Sequence, residues 1–292
     1  MNDYLISKGV EIPSKFIVLN LSILFIVFII LLCSHASSGW LHNNLDRFWW
    51  KYFIVGIMAG GINGIIGMGY GITVVTSLLS LGFSSVVASS VVHFSEIFAA
   101  GSNGLIHYRY RNVNKKTFKK LLIPSILGAL AGSTLLYSLN RYQYIVKPLI
   151  SFYILVMGCY IIYKAFHKTM PGKKTKQLYA VGFISAIIDA IGGGWQTLVS
   201  TTIIAGGRSA LYTIGSVSCV KFFVALTTSI TLVAFTGHIN WQVIFWIILG
   251  NIWIGPIGPY IARKLPRKAM MVVIGITVLS ISMYQLILLP FD

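Results

Sequence analysis

Four ionisable side chains stand inside long apolar stretches of this 292-residue chain: His93, Glu96, Asp189 and Lys221. Hydrocarbon surroundings tolerate a charge only when it is paired or protonated, which makes each of the four a candidate for chemistry. Lys221 is suited to attract an anion. Glu96 and Asp189 are suited to take up a coupling proton, and His93, one helical turn before Glu96, is placed to relay it. Each also has a structural reading: Glu96 and Lys221 neutralise one another as an ion pair, Asp189 caps or braces a turn, and His93 packs. The two carboxylates lie in different segments, and no His or Cys spacing resembles a metal site. Neither an enzyme nor a resident metal or cofactor is therefore expected. Cys33, Cys159 and Cys219 fall in or at the ends of apolar stretches without pairing spacing and read as packing residues.

Glycines surround this chemistry. Gly67-Met68-Gly69-Tyr70-Gly71 and Gly192-Gly193-Gly194 interrupt two apolar segments near their middles, where glycine favours a helix break. After each break a half-helix is expected to restart, at about Ile72-Thr73 and Thr197-Leu198, with free amides and a partial positive charge that suit an anion. Thr73, Thr76, Ser77, Thr197, Ser200, Thr201 and Thr202 add hydroxyls that either donate to such an anion or cap and pack helices. Trp195, beside the second cluster, reads either as a wall of the site or as ordinary membrane-helix packing.

The elements that must position these residues repeat. Val55-Gly56-Ile57 with Asn63-Gly64-Ile65 returns as Val181-Gly182-Phe183 with Asp189-Ala190-Ile191, 126 residues on. With one gap, Thr76-Ser77-Leu78-Leu79 falls on Thr201-Thr202-Ile203-Ile204, and Glu96 falls opposite Lys221. The expected segments are 52 to 80, 86 to 106, 118 to 138 and 144 to 164, then 178 to 206, 210 to 236, 241 to 262 and 269 to 289. The organisation is thus residues 1–51 with one transmembrane helix at 16 to 33, a first repeat over 52–168 and a second over 169–292, in one integral membrane domain. That first helix reads as an uncleaved signal anchor in preference to a signal peptide.

The leading segment of each repeat is too long for one crossing and too short for two of ~20 residues each. A re-entrant hairpin of two half-helices explains the length, and the basic residues support it. With both leading segments re-entrant, 18 lysines and arginines face inside against 4 outside; with all segments crossing, the better orientation gives 13 against 9. Short cytoplasmic loops are rich in Lys and Arg, so the fold expected is all-α and polytopic. It has two inverted repeats of four helical segments, each led by a broken re-entrant hairpin, with a cytoplasmic N-terminus and an outside C-terminus.

Composition agrees. The chain is 56% hydrophobic and 10% charged, against roughly 25% charged in a soluble domain. Its formal charge of +17 is spread in short clusters between apolar runs, which argues against nucleic acid as a partner and for a lipid bilayer. Inverted repeats with helices broken at membrane depth are a recurring design of secondary transporters, because broken backbone must line a cavity or be covered by protein. An anion channel whose filter is built from the same hairpins is the alternative.

Asp189-Ala190-Ile191-Gly192-Gly193-Gly194-Trp195, followed by Ser200-Thr201-Thr202-Ile203-Ile204-Ala205-Gly206, resembles the second-repeat signature of the TauE/SafE sulfite exporter family, also called the toluene sulfonate uptake permeases. The resemblance covers roughly residues 52 to 289. It implies transport of sulfite, sulfonates or related small anions, mostly across bacterial plasma membranes, with the glycine stretches as the central motif. Gln196-Thr197 stands where that family commonly has a Gly-Pro step, and Met68 interrupts the first cluster. The expected substrate site is Gly67, Gly69, Tyr70, Gly71, Thr73, Gly192, Gly193, Gly194, Trp195, Gln196, Thr197 and Lys221, with Asp189, Glu96 and His93 as coupling residues and protons as the candidate coupling ion. A homo-oligomer is compatible with this arrangement.

Overall fold

A computed structural model of the chain describes residues 49–66, 69–166, 177–205, 208–237 and 239–254, with scattered positions between 272 and 287. The N-terminal helix expected at 16 to 33, Gly67, and most of the last expected segment lie outside the described residues. Every regular element among the described residues is helical.

The helices are α1 Trp49–Ile66, α2 Tyr70–Ser80, α3 Ser85–Arg109, α4 Lys115–Ser138, α5 Gln143–Phe166, α6 Leu178–Gly192, α7 Trp195–Ala205, α8 Ala210–Thr236 and α9 Trp241–Ile254, with a 3-10 turn at Asn140–Tyr142 between α4 and α5. Local signals set their ends. The Ser84 side chain accepts from Val87 N at 3.3 Å to start α3, and Asn114 Oδ1 accepts from Thr117 N at 3.0 Å to start α4. Gly237, in the left-handed region at φ 65°, ends α8.

Lys115–Ser138, Tyr144–Tyr163 and Tyr212–Thr236 are each long and apolar enough to cross a bilayer. Ile123, Leu149, Phe152 and Ile230 project outward from these helices, each about 60% exposed or more. Meanwhile α3, of similar length, buries Ser85, Ser89, His93, Ser95 and Glu96 inside. Apolar exterior over a polar interior helix is the arrangement lipid demands, and the protein is an all-α polytopic membrane protein.

Both broken segments double back. A cavity of about 420 Å³ is lined together by Trp50 and Ile54 from the start of α1 and Ser77 and Ser80 from the end of α2, and the Tyr52 and Phe83 rings meet at 5.9 Å. In the second pair, Tyr179 at the start of α6 lies 5.9 Å from Lys120. Arg208, just past α7, donates to Thr117 Oγ1 at 2.7 Å. Both ends of that pair therefore sit on the first turns of α4.

The most extensive helix contacts are α1 with α9, α6 with α4, and α3 with α8. Along the α3–α8 interface Gly101 faces Phe222 while Gly104 faces Cys219, so these two helices run in opposite directions.

Candidate functional site

The two breaks meet. At Gly193, with φ +76°, a Cβ would lie 2.7 Å from Gly71 C and 2.9 Å from Ile72 N. Only a residue without a side chain takes that backbone conformation and permits that approach. Tyr153 of α5 holds the seam by donating its hydroxyl to Gly193 O at 3.0 Å. The half-helices restart earlier than the residue types suggest, at Tyr70 and Trp195 and not at 72 and 197, directly after the positive-φ glycines Gly69 and Gly194.

Beside the seam lies a buried ionic cluster. Lys221 Nζ is 2.5 Å from Asp189 Oδ2 and 2.8 Å from Glu96 Oε2. Asp189 Oδ1 accepts from Trp195 N at 2.8 Å, so this carboxylate both caps α7 and pairs with the ammonium. The two carboxylates, in separate segments of the chain, thus converge on one cation. His93, Glu96 and Asp189 offer ligating atoms within 4.8 Å of one another, a metal-type donor set that sequence spacing does not reveal. Lys221 Nζ stands between the two carboxylates, in the position a cation would take.

The histidine touches both carboxylate-bearing segments. His93 Nε2 is 3.1 Å from Asp189 O; a carbonyl has no proton to give, so Nε2 is the donor. The other nitrogen, Nδ1, is 3.3 Å from Glu96 Oε2 and 3.9 Å from Asp189 Oδ2. A proton placed between Nδ1 and Glu96 Oε2 would turn this contact into a charge-assisted hydrogen bond and would balance the two carboxylates.

The sequence candidates separate by role. Gly71, Gly193 and Gly194 form the seam, with Gly69 at φ +96° opening α2 and Gly192 against the Tyr153 ring. Trp195 is fully buried and its Nε1 donates to Gly182 O at 3.3 Å, bracing α7 on α6. Thr73, Thr76 and Ser77 give their hydroxyls to carbonyls one turn back, and Thr201 and Thr202 give theirs to Leu198 O. Of the two roles open to these hydroxyls, the described bonds are the helix-internal one. Thr197 Oγ1 and Ser200 Oγ are buried without a hydrogen-bond partner among the described residues. Tyr70 is buried and Gln196 half-buried. The expected free amide at the start of α7 is already bound by Asp189.

Two residues escaped sequence reasoning. Ser89 donates to Ala190 O at 2.5 Å; together with His93 and Glu96 it forms an i, i+4, i+7 polar stripe on an apolar helix, a signal that was legible. Tyr153 has no such signature among 15 tyrosines.

Fold and site together define a multi-pass membrane protein with a buried charge cluster where two broken helices touch. Residues 52–284 match the family described as "Sulfite exporter TauE/SafE", and the chain belongs to that family. It is similar to "Probable membrane transporter protein YtnM" of Bacillus subtilis (strain 168), at 29% identity over 77% of this chain and 78% of the relative. It is also similar to "Probable membrane transporter protein YunE" of the same organism, at 22% identity over 78% of this chain and 93% of the relative. No solved structure matches the chain. The protein is accordingly a membrane transporter.

Proposed function

We propose that the protein is a secondary carrier of small anions, of the sulfite or sulfonate kind, working by alternating access at the seam between the two hairpins. The observation that carries this reading is the Lys221 ammonium, buried where the two breaks touch and held by Glu96 and Asp189. Antiparallel equivalent helices and two hairpins that double back support inverted repeats, the architecture in which such carriers exchange conformations. The basic-residue asymmetry supports a cytoplasmic N-terminus, an outside C-terminus and a bacterial plasma membrane location.

An anion cannot join a cluster already in negative excess, because uncompensated charge in a low-dielectric interior is costly. A proton on the His93–Glu96 pair removes that excess and frees Lys221 from Glu96 to face the anion, while Asp189 stays fixed on Trp195 N. Anion and proton then cross together. Gly71, Gly193 and Gly194 let the backbone approach the anion, with Tyr70, Thr73, Gln196 and Thr197 around them.

The test is uptake of labelled sulfite and small sulfonates into proteoliposomes. Wild type is expected to show saturable, counterflow-competent uptake accelerated by acid on the side of the anion. Lys221→Ala is expected to abolish it. Glu96→Gln is expected to keep counterflow while losing the response to a pH gradient. Uptake that neither saturates nor shows counterflow sinks the carrier; pH-driven uptake in Glu96→Gln sinks the proton assignment.

A further inference from the structure

A second cavity, of about 630 Å³, opens on the flank of the molecule between α3, α8 and the start of α4. Its walls are apolar, built by Gly101, Gly104, Leu105, Phe222 and Phe223, and Lys115 and Lys119 stand at one end. Gly101 and Gly104 let α8 come close to α3, a Cβ at Gly104 lying 3.2 Å from Cys219 Cα, so the α3–α8 contact forms the floor of the groove. Its lips are exposed and apolar, with Leu105 at 45%, Tyr108 at 64% and Phe223 at 37%. A groove of that kind, open sideways on a membrane protein, fills from the bilayer and not from water.

Among the described residues no carboxylate stands beside Lys115 and Lys119. Lys115, Lys116, Lys119 and Lys120 occupy the opening turns of α4, where the helix dipole is already positive, and no acidic residue lies in the first turn. Arg109 and Arg111 precede them. Among the described residues the carboxylates are Glu96 and Asp189 alone, and both are buried on Lys221. The anion that balances this end therefore comes from outside the described protein. Apolar walls and a doubly basic mouth, one at each end of a single cavity, match a molecule with an acyl chain and an anionic headgroup.

We infer that the α3–α8 groove binds an anionic phospholipid, its chain lying over Gly101, Gly104 and Phe222 and its phosphate on Lys115 and Lys119. The inference is independent of the substrate carried, because the groove lies outside the seam.

Delipidated protein in detergent is offered phosphatidylglycerol, phosphatidylcholine with the same acyl chains, or soluble glycerol phosphate. Bound lipid is counted by native mass spectrometry and the thermal midpoint is followed. The expected result is roughly tenfold or greater preferential retention of phosphatidylglycerol over phosphatidylcholine, with a raised midpoint and no shift from glycerol phosphate. The double variant Lys115→Gln/Lys119→Gln, at exposed positions, is expected to retain both lipids equally. Leu105→Trp, which fills the groove and leaves the lysines, is expected to lower retention of both. Equal retention by wild type, unchanged preference in the lysine variant, or full retention in Leu105→Trp overturns the lipid site. A shift produced by glycerol phosphate assigns the groove to a free anion and overturns it equally.

Discussion

In the first hairpin the chain turns at Gly69, restarts at Tyr70, and spends the hydroxyls of Thr73 and Ser77 on its own helix. Asn63, which the sequence pattern sets opposite Asp189, leaves its Oδ1 without a partner among the described residues. In the second hairpin Asp189 binds both the first amide of α7 and Lys221, His93 and Ser89 reach the carbonyls of Asp189 and Ala190, and Tyr153 holds Gly193. One repeat thus supplies a glycine surface with little polar bracing, and the other supplies a tethered, charged half. Both hairpins bend at glycines, but only the second carries a carboxylate there to hold the lysine.

The comparison breaks most readily at the ion cluster. Lys221→Met leaves two buried carboxylates against one another and is expected to cost about 3–5 kcal/mol, measured by SDS-driven unfolding of the purified protein. Asn63→Ala removes an unpartnered amide oxygen and is expected to change stability by less than ~1 kcal/mol. If the two substitutions cost the same, the charged half is not the tethered one.

A smaller contrast lies in the glycines. Gly193→Ala meets both an unfavourable φ and backbone at 2.7 Å, together about 2–4 kcal/mol. Gly69→Ala shares the positive φ but meets only Ile62 Cγ2 at 3.2 Å, and is expected to cost about 1–2 kcal/mol. Stabilities in the reverse order would show that the seam gives way at Gly71 and is not close-packed.

The finest test compares two hydroxyls. Tyr153→Phe loses the bond to Gly193 O and is expected to cost about 1 kcal/mol, whereas Thr73→Val, which loses a bond within one helix, should fall within about 0.5 kcal/mol. Hydrogen exchange at the 193–195 amides is expected to rise in Tyr153→Phe alone; protection unchanged there would remove Tyr153 from the brace.

Much of the fold was legible because its causes are local. Runs of apolar residues near 20 long must be helices in lipid, glycine clusters must interrupt them, and a recurring pattern 126 residues apart must build similar units; described α3, α4, α5 and α8 lie within a few residues of their expected segments. The residue types of the site were legible for the same reason, since a charge in an apolar stretch is conspicuous. What they do to one another was not. Asp189 and Lys221 are 32 residues apart, and His93 and Asp189 are 96 apart. Their meeting depends on how α3, α6 and α8 cross, which no spacing encodes. Sequence alone determined that the protein is a stack of membrane helices broken twice and carrying four buried ionisable groups. Only the tertiary structure decided that both carboxylates share one ammonium and that His93 stands against Glu96, because burial and proximity, not residue type, fix which charges a low-dielectric interior must balance.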